Sequence, residues 1–375
     1  MPRAVFDYAD GGAEDEIARI RNSAAFDQYQ LVPSVLQAVG QLNTKTRVLG
    51  TDIEWPFVLS PTALGYLFHR HGEPAVARAA GAAGTAFTLS SIGTASIAEV
   101  AEQGTGPKWF QLYVWKDRGL TRELLHRCKE AGYSAVLLTV DAPVAGQRNR
   151  DLRNGMTIPP RLSFSALLDA ALKPAWWLGY LMARSKIRFA NVTGSSSANL
   201  GGALKDVMGY INSQFDPDVT WDDAQELMEL WKGPFAVKGI MQPEDAERAV
   251  SMGATGVVVS NHGGRQLDTA PAPIDMLPDI VSAVGGRADV LLDGGVRRGS
   301  DIIKALALGA TACMAGRPYL YGLCAGGESG VRRALSLLRT DFERTMKLMC
   351  APDLASLNRS HCRMAQPLSA SGRLQ

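Results

Sequence analysis

The chain has 375 residues with 39 Lys and Arg against 37 Asp and Glu, a formal net charge of +2, which excludes the basic footprint of a nucleic-acid binder and leaves a small or weakly charged partner. Its five cysteines are scattered, with no Cys-x-x-Cys pair and no Cys/His cluster at metal-ligand spacing, so neither a disulfide framework nor a metal site is expected and a cytoplasmic setting is. No stretch reaches the roughly 18 uninterrupted apolar residues of a membrane span, and the N-terminus lacks the apolar core of a signal peptide.

From about residue 57 the sequence alternates short apolar runs with amphipathic segments, as parallel βα units do. The predicted strands cover 57–60, 86–89, 109–113, 135–140, 235–238, 256–260, 290–293 and 312–315. Helices are predicted over 73–83, 121–131, 221–231, 243–252 and 301–308. Eight such units predict a single closed (β/α)8 TIM barrel, since open doubly wound sheets have nearer six strands. The regular spacing breaks once, after strand four, where residues of about 142–219 form one long loop on the side on which barrel enzymes keep their active sites.

In a barrel the C-terminal ends of the strands converge on one mouth, so the polar residues at those ends are expected to share one site. Strand seven ends in Asp293-Gly294-Gly295-Val-Arg297 and strand eight in Gly316-Arg317-Pro318. The glycines let backbone N–H groups approach an anion and the arginines supply charge, with Ser300 as cap of one helix and Pro318 suited to the first position of the next. This is the usual phosphate site of a barrel. Strand six ends in Ser260-Asn-His262-Gly-Gly-Arg265. There His262 can act as a general base and Arg265 can hold a carboxylate by paired hydrogen bonds. Asp141 at the end of strand four can orient the imidazole, Arg148 adds a second cation, and Tyr113 offers a phenol to a substrate oxygen. Lys238, nearly alone in its apolar strand, needs an anion or carbonyl partner inside the barrel, or else is a Schiff-base nucleophile.

Read together, Ser260-Asn-His-Gly-Gly-Arg-Gln-Leu-Asp268 and Asp293-Gly-Gly-Val-Arg-Arg-Gly299 resemble the signature of the FMN-dependent L-2-hydroxy acid oxidising family, which includes glycolate oxidase, L-lactate dehydrogenase and (S)-mandelate dehydrogenase. The likeness continues through residues 6–15, Pro61-Thr-Ala63, Trp109-Phe-Gln-Leu-Tyr113 and residues 304–309. It implies FMN held by the backbone of Pro61, Thr62 and Ala63 and by Ser90, Gln111, Thr139 and Lys238, with Lys238 at the edge where a reduced flavin gains negative charge. Ser260, Asp293 and Gly294 belong to the same implied site, and Gly295, Arg297, Gly316 and Arg317 to its phosphate end. Tyr8, Tyr113, Arg148 and Arg265 would meet the substrate, with His262 as base and Asp141 behind it. The resemblance also implies a homotetramer.

Three departures from that pattern carry expectations. The chain starts close to Phe6-Asp-Tyr8, so Tyr8 is expected to be less firmly anchored, or the start to be incomplete. Ile92 stands where glycolate oxidase has a tryptophan and Ala145 where it has a leucine, so a wider pocket is expected than glycolate needs. Within the long loop, residues 174–188 are apolar with Trp176 and Trp177 and then turn basic at Arg184, Lys186 and Arg188. One reading is contact with the inner face of the cell membrane through about residues 165–200, with a quinone as electron acceptor. The other is a helix packed on the barrel rim or a neighbouring subunit, with oxygen as acceptor and hydrogen peroxide as product. Beside these stand another FMN barrel sharing the phosphate loops, such as a type 2 isopentenyl diphosphate isomerase, and a flavin-binding membrane subunit without activity.

Overall fold

The computed structural model describes residues 1–155, 164–192 and 213–365; no side chain of residues 164–167 is described. Eight parallel strands close into a barrel: β1 (Phe57–Leu59), β2 (Phe87–Ser90), β3 (Lys108–Leu112), β4 (Ala135–Thr139), β5 (Phe235–Ile240), β6 (Gly256–Ser260), β7 (Asp289–Asp293) and β8 (Ala312–Ala315). They are hydrogen-bonded in chain order, and β8 pairs with β1 to close the ring. The predicted fold class is the observed one. Each predicted strand is present, with ends displaced by one or two residues.

Alternation along the strands builds both the interior and the site. Val58, Ala86, Trp109, Leu137, Ala236, Val258, Leu291 and Met314 form one buried cluster inside the barrel. On five of these strands the residue two positions further on is Gln111, Thr139, Lys238, Ser260 or Asp293, so a period of two carries the same row from an apolar floor to a polar mouth. The lower end is stopped by the hairpin Thr46–Val48 and Thr51–Ile53, whose Val48 and Ile53 join that cluster while Thr51 Oγ1 accepts from Trp109 Nε1 at 3.0 Å. The outward residues pack against the helices in a second cluster.

Strand β5 runs past its predicted end, and its pairing with β6 slips between Lys238 and Ile240. Gly239 takes φ +108° in that bulge, where a Cβ would lie 2.6 Å from Asp141 Cβ. A side chain there would therefore push Asp141 aside.

Two predicted caps differ. The helix after β7 spans Gly299–Ala307; the N–H groups of Arg297 and Arg298 just before it are taken by the Asp301 carboxylate at 2.9 and 3.0 Å, and that of Gly299 by Asp341 Oδ2 at 2.7 Å. Ser300 therefore lies inside the first turn, because an ionised carboxylate accepts both groups at once and no hydroxyl is needed. The helix after β8 begins at Arg317, which puts Pro318 in its second position, where its missing N–H costs nothing either.

The long insertion after β4 contains helices of its own among the described residues: Asn149–Arg153, Phe164–Ala171 and Pro174–Ala183. No helix of the described residues is long and apolar enough to cross a membrane.

Candidate active site

A cavity of about 210 Å³ opens at the C-terminal mouth of the barrel. It is lined by Tyr8, Pro61, Thr62, Ala63, Ser90, Gln111, Tyr113, Thr139, Arg148, Lys238, His262, Arg265, Asp293, Gly294, Gly295, Arg297, Gly316 and Arg317. Asp141 and Ser260 stand one hydrogen bond behind that wall.

His262 has φ +58°, a left-handed conformation that a residue with a Cβ rarely adopts. Its backbone N–H donates to Ser260 Oγ at 3.1 Å, and its Nδ1 lies 2.7 Å from Asp141 Oδ1. An ionised carboxylate only accepts, so the ring proton sits on Nδ1 and Nε2 presents a lone pair to the cavity. Nε2 is 3.4 Å from the Tyr113 hydroxyl. Burial, helped by the Asp141 charge, pushes the Tyr113 phenol up, so it stays protonated and able to donate.

Two arginines face His262 across the cavity. Arg265 donates to the Tyr8 and Gly11 carbonyls at 2.9 and 2.8 Å, and no described carboxylate pairs with it. Burial and the neighbouring Arg148 push its guanidinium down to about 10. Arg148 pairs through Nε with Asp151 at 2.8 Å, a partner that sequence reasoning missed. The Tyr8 ring lies between the two guanidiniums, 5.1 Å from Arg148 and 5.2 Å from Arg265. Contrary to expectation, Tyr8 is thus well held, within the helix Arg3–Asp10, because its carbonyl and its ring both meet arginines. An Arg265→Lys variant is expected to raise KM for an α-hydroxy carboxylate on the order of 10- to 100-fold, since an ammonium cannot form a two-pronged grip. Unchanged saturation in rapid-mixing traces would place the carboxylate elsewhere.

The phosphate end has the same character. Arg317 donates to the carbonyls of Asp10, Gly263 and Gly11, and burial together with Arg265 and Arg297 pushes it down to about 9. Burial lowers Arg297 as well, and its Nη1 donates to the Val296 carbonyl at 2.8 Å. A guanidinium keeps its proton, so this strain is relieved by an anion between the arginines. Gly295 has φ +85°, and a Cβ on it would lie 1.9 Å from the Asn22 carbonyl oxygen, so no side chain fits at this turn.

Lys238 is fully enclosed and paired. Its Nζ lies 2.8 Å from Asp293 Oδ2 and 2.9 Å from Ser260 Oγ, while Ser60 Oγ donates to Asp293 Oδ1 at 2.6 Å. Burial alone would lower the lysine, but Asp293 and Asp141 outweigh it and raise it. Ser260 thus ties the buried ion pair to the backbone of His262, so the roles expected for Ser260 and Asp293 pass through Lys238. Schiff-base chemistry is disfavoured, because a lysine held in its charged form is a poor nucleophile.

Two buried polar atoms in the wall, Gln111 Nε2 and Thr139 Oγ1, find no partner among the described residues. Ser90 donates to Gln111 Oε1 at 2.8 Å, which leaves the amide N–H₂ to the cavity. Buried donors and acceptors of this kind ask for a polar ligand. Together with the arginine end they fit a planar heterocycle carrying a phosphate, as FMN does.

Ile92 and Ala145 also line the cavity, as do Phe68, Phe189 and Phe215. These three aromatics were not assigned to the pocket from sequence. Phe189 and Phe215 come from the long insertion, where no periodicity says which residue turns inward.

The model of the FMN-dependent dehydrogenase family matches residues 1–364. The L-lactate oxidase of Nostoc sp. is 44% identical over 366 residues, covering 96% of this chain and 93% of its own. The L-lactate dehydrogenase of Caulobacter sp. is 42% identical over 361 residues, covering 96% and 94%. Among solved structures, the monotopic membrane protein (S)-mandelate dehydrogenase superposes with a TM-score of 0.92 at 39% identity, covering 97% of this chain and 96% of that one. The flavin-shaped demands of the barrel mouth and these matches over nearly the whole chain agree, and this chain belongs to the FMN-dependent dehydrogenase family.

Proposed function

We propose that this chain uses FMN to oxidise an L-2-hydroxy acid of the L-lactate or L-mandelate type to the 2-oxo acid. The observation that carries the reading is His262, held by Asp141 with Nε2 turned to the cavity near the Tyr113 hydroxyl, beside an Arg265 that no described carboxylate pairs with. Gln111, Thr139, Ser90, Lys238 and the backbone of Pro61, Thr62 and Ala63 would hold the FMN ring, with Gly295, Arg297, Gly316 and Arg317 at its phosphate. When bound, FMN supplies the acceptance of two electrons from the substrate carbon. Arg265 and Arg148 hold the substrate carboxylate, and Tyr113 donates to its oxygen. His262 Nε2 takes one proton, from the hydroxyl if a hydride leaves Cα or from Cα itself if a carbanion forms. Asp141 stabilises the resulting imidazolium. The test is anaerobic bleaching of the flavin by L-lactate and L-mandelate; a flavin that neither reduces sinks the reading.

The proposed acceptor is a membrane quinone. Leu172, Leu178, Leu181 and Met182 on and beside the helix Pro174–Ala183 are exposed, with Lys173, Arg184 and Arg188 exposed around them. Such a face combines apolar insertion with attraction to anionic lipid. Part of the expected anchor is otherwise engaged: Trp176 donates to the Leu67 carbonyl and stacks on Tyr180, and Lys186 meets Glu99 and the Tyr66 hydroxyl. That docking favours, for these residues, the second reading, a helix packed on the barrel rim, and says nothing of the acceptor. Residues 193–200 of the expected contact lie outside the described residues. Wild type is expected to pellet with anionic vesicles and be released by salt, and Leu178→Ser/Leu181→Ser/Met182→Ser to stay in solution with flavin reduction intact. Wild type that does not pellet and turns over with oxygen as fast as with quinone would be a soluble oxidase.

A further inference from the structure

Two of the proposed substrate contacts lie well away from the ends of the barrel strands. Tyr8 is on the N-terminal helix Arg3–Asp10, and Arg148 immediately precedes the helix Asn149–Arg153 of the insertion. Neither position is set by the sheet, so something else must bring them together.

Arg150 lies between them. Its Nη1 is 2.8 Å from Asp10 Oδ2 and 3.3 Å from Asp7 Oδ1, and its Nη2 meets Glu16 Oε2. Burial would lower this guanidinium, yet its hydrogen bond to Asp10 and the charges of Glu16, Asp7 and Asp10 raise it. The other cations on these acids are Arg19, at 3.0 Å from Glu16 and 3.5 Å from Asp10, and Arg3, at 3.6 Å from Asp7. Both belong to the N-terminal segment, whereas Arg150 joins that segment to the insertion by ion pairs. The N-terminal segment is thus gripped from two sides. On the barrel side Arg265 and Arg317 hold the carbonyls of Tyr8, Asp10 and Gly11. On the insertion side its carboxylates are held by Arg150, with Asn154 adding a hydrogen bond to Asp7.

We propose that Arg150 is a positioning residue for the substrate-carboxylate site: by clasping Asp7, Asp10 and Glu16 it fixes the Tyr8 helix against the segment that carries Arg148. It touches neither cavity nor base, and it is absent from the cavity lining. A network of one guanidinium and three partly buried carboxylates has the geometry that makes ion pairs matter, unlike an isolated surface pair. Small displacements of groups that hold a substrate are costly, so loosening the clasp weakens substrate binding first, while the flavin-facing residues carried by the strands keep their places.

This inference rests on the function proposed above. Arg150→Met is expected to raise KM for the 2-hydroxy acid by ~10- to 100-fold with kcat within ~3-fold. FMN content stays at the wild-type value, while the melting temperature falls by a few degrees because three partly buried carboxylates lose a counter-ion. Arg150→Lys, which restores one ion pair, is expected to recover most of the KM. In a readout free of activity, amides of residues 7–19 exchange faster in Arg150→Met than in wild type. Unchanged KM in Arg150→Met overturns the clasp, as does a fall in FMN content that accounts for the loss. Should wild type reduce its flavin with no 2-hydroxy acid, the functional reading fails, and unchanged amide exchange in Arg150→Met would then overturn the clasp on its own.

Discussion

Replacing His262 by glutamine is expected to slow flavin reduction by substrate at least ~100-fold while FMN stays bound, a loss typical of a missing general base. Glutamine keeps a polar group of similar length but has no basic nitrogen. The flavin site is expected to survive, because the residues proposed to hold FMN lie at the ends of β1 to β5 and of β7 and β8, and Ser260, which ties Lys238, precedes the substituted residue. Histidine tolerates the left-handed backbone at position 262 better than glutamine does, so the FMN content and melting temperature of the variant are the controls that isolate the imidazole. Stopped-flow mixing of the holoenzyme with L-lactate or L-mandelate under anaerobic conditions reads the rate. A variant that reduces its flavin within a few-fold of wild type would mean that the base is another group.

The second large effect is expected at Lys238. Lys238→Met leaves Asp293 fully enclosed without its counter-ion, and stranding one member of a buried pair costs about 3–5 kcal/mol. Denaturant melts should register that loss, and the purified variant should carry little FMN. Adding Asp293→Asn removes the stranded charge and is expected to recover most of the stability but not the flavin. If Lys238→Met melts like wild type, the ion pair is not what holds β5 and β7 at the mouth. If the double variant binds FMN as wild type does, the cation is not part of the flavin site.

Much of the mouth was legible before any coordinates, for a geometric reason. Parallel strands alternate with a period of two, so residues one pleat beyond an apolar run must face the same interior. That rule alone brings Gln111, Thr139, Lys238 and Asp293 together from four strands. It also says that His262 and Arg265 share a mouth with Gly294 and Arg317, although they lie far apart in the chain. What alternation cannot give is pairing across the mouth. Lys238 was read as facing a flavin edge, yet its charge is shared with Asp293 and Ser260. Both readings satisfy the same need of a buried cation for an anion, and only distances separate a protein partner from a ligand.

By itself, then, the sequence determined the barrel and which residues meet at its mouth, among them those proposed as phosphate end, base and carboxylate-binding arginine, because each is a local pattern at a strand end. The tertiary structure decided what depends on two segments meeting: the Tyr8 ring between Arg148 and Arg265, the clasp of Arg150 on Asp7, Asp10 and Glu16, and the docking of Trp176 on the barrel rim. These contacts join the N-terminal helix, the insertion and the barrel. Loops and irregular helices have no period to fix their register, so their side chains take whichever partners the closed barrel brings within reach.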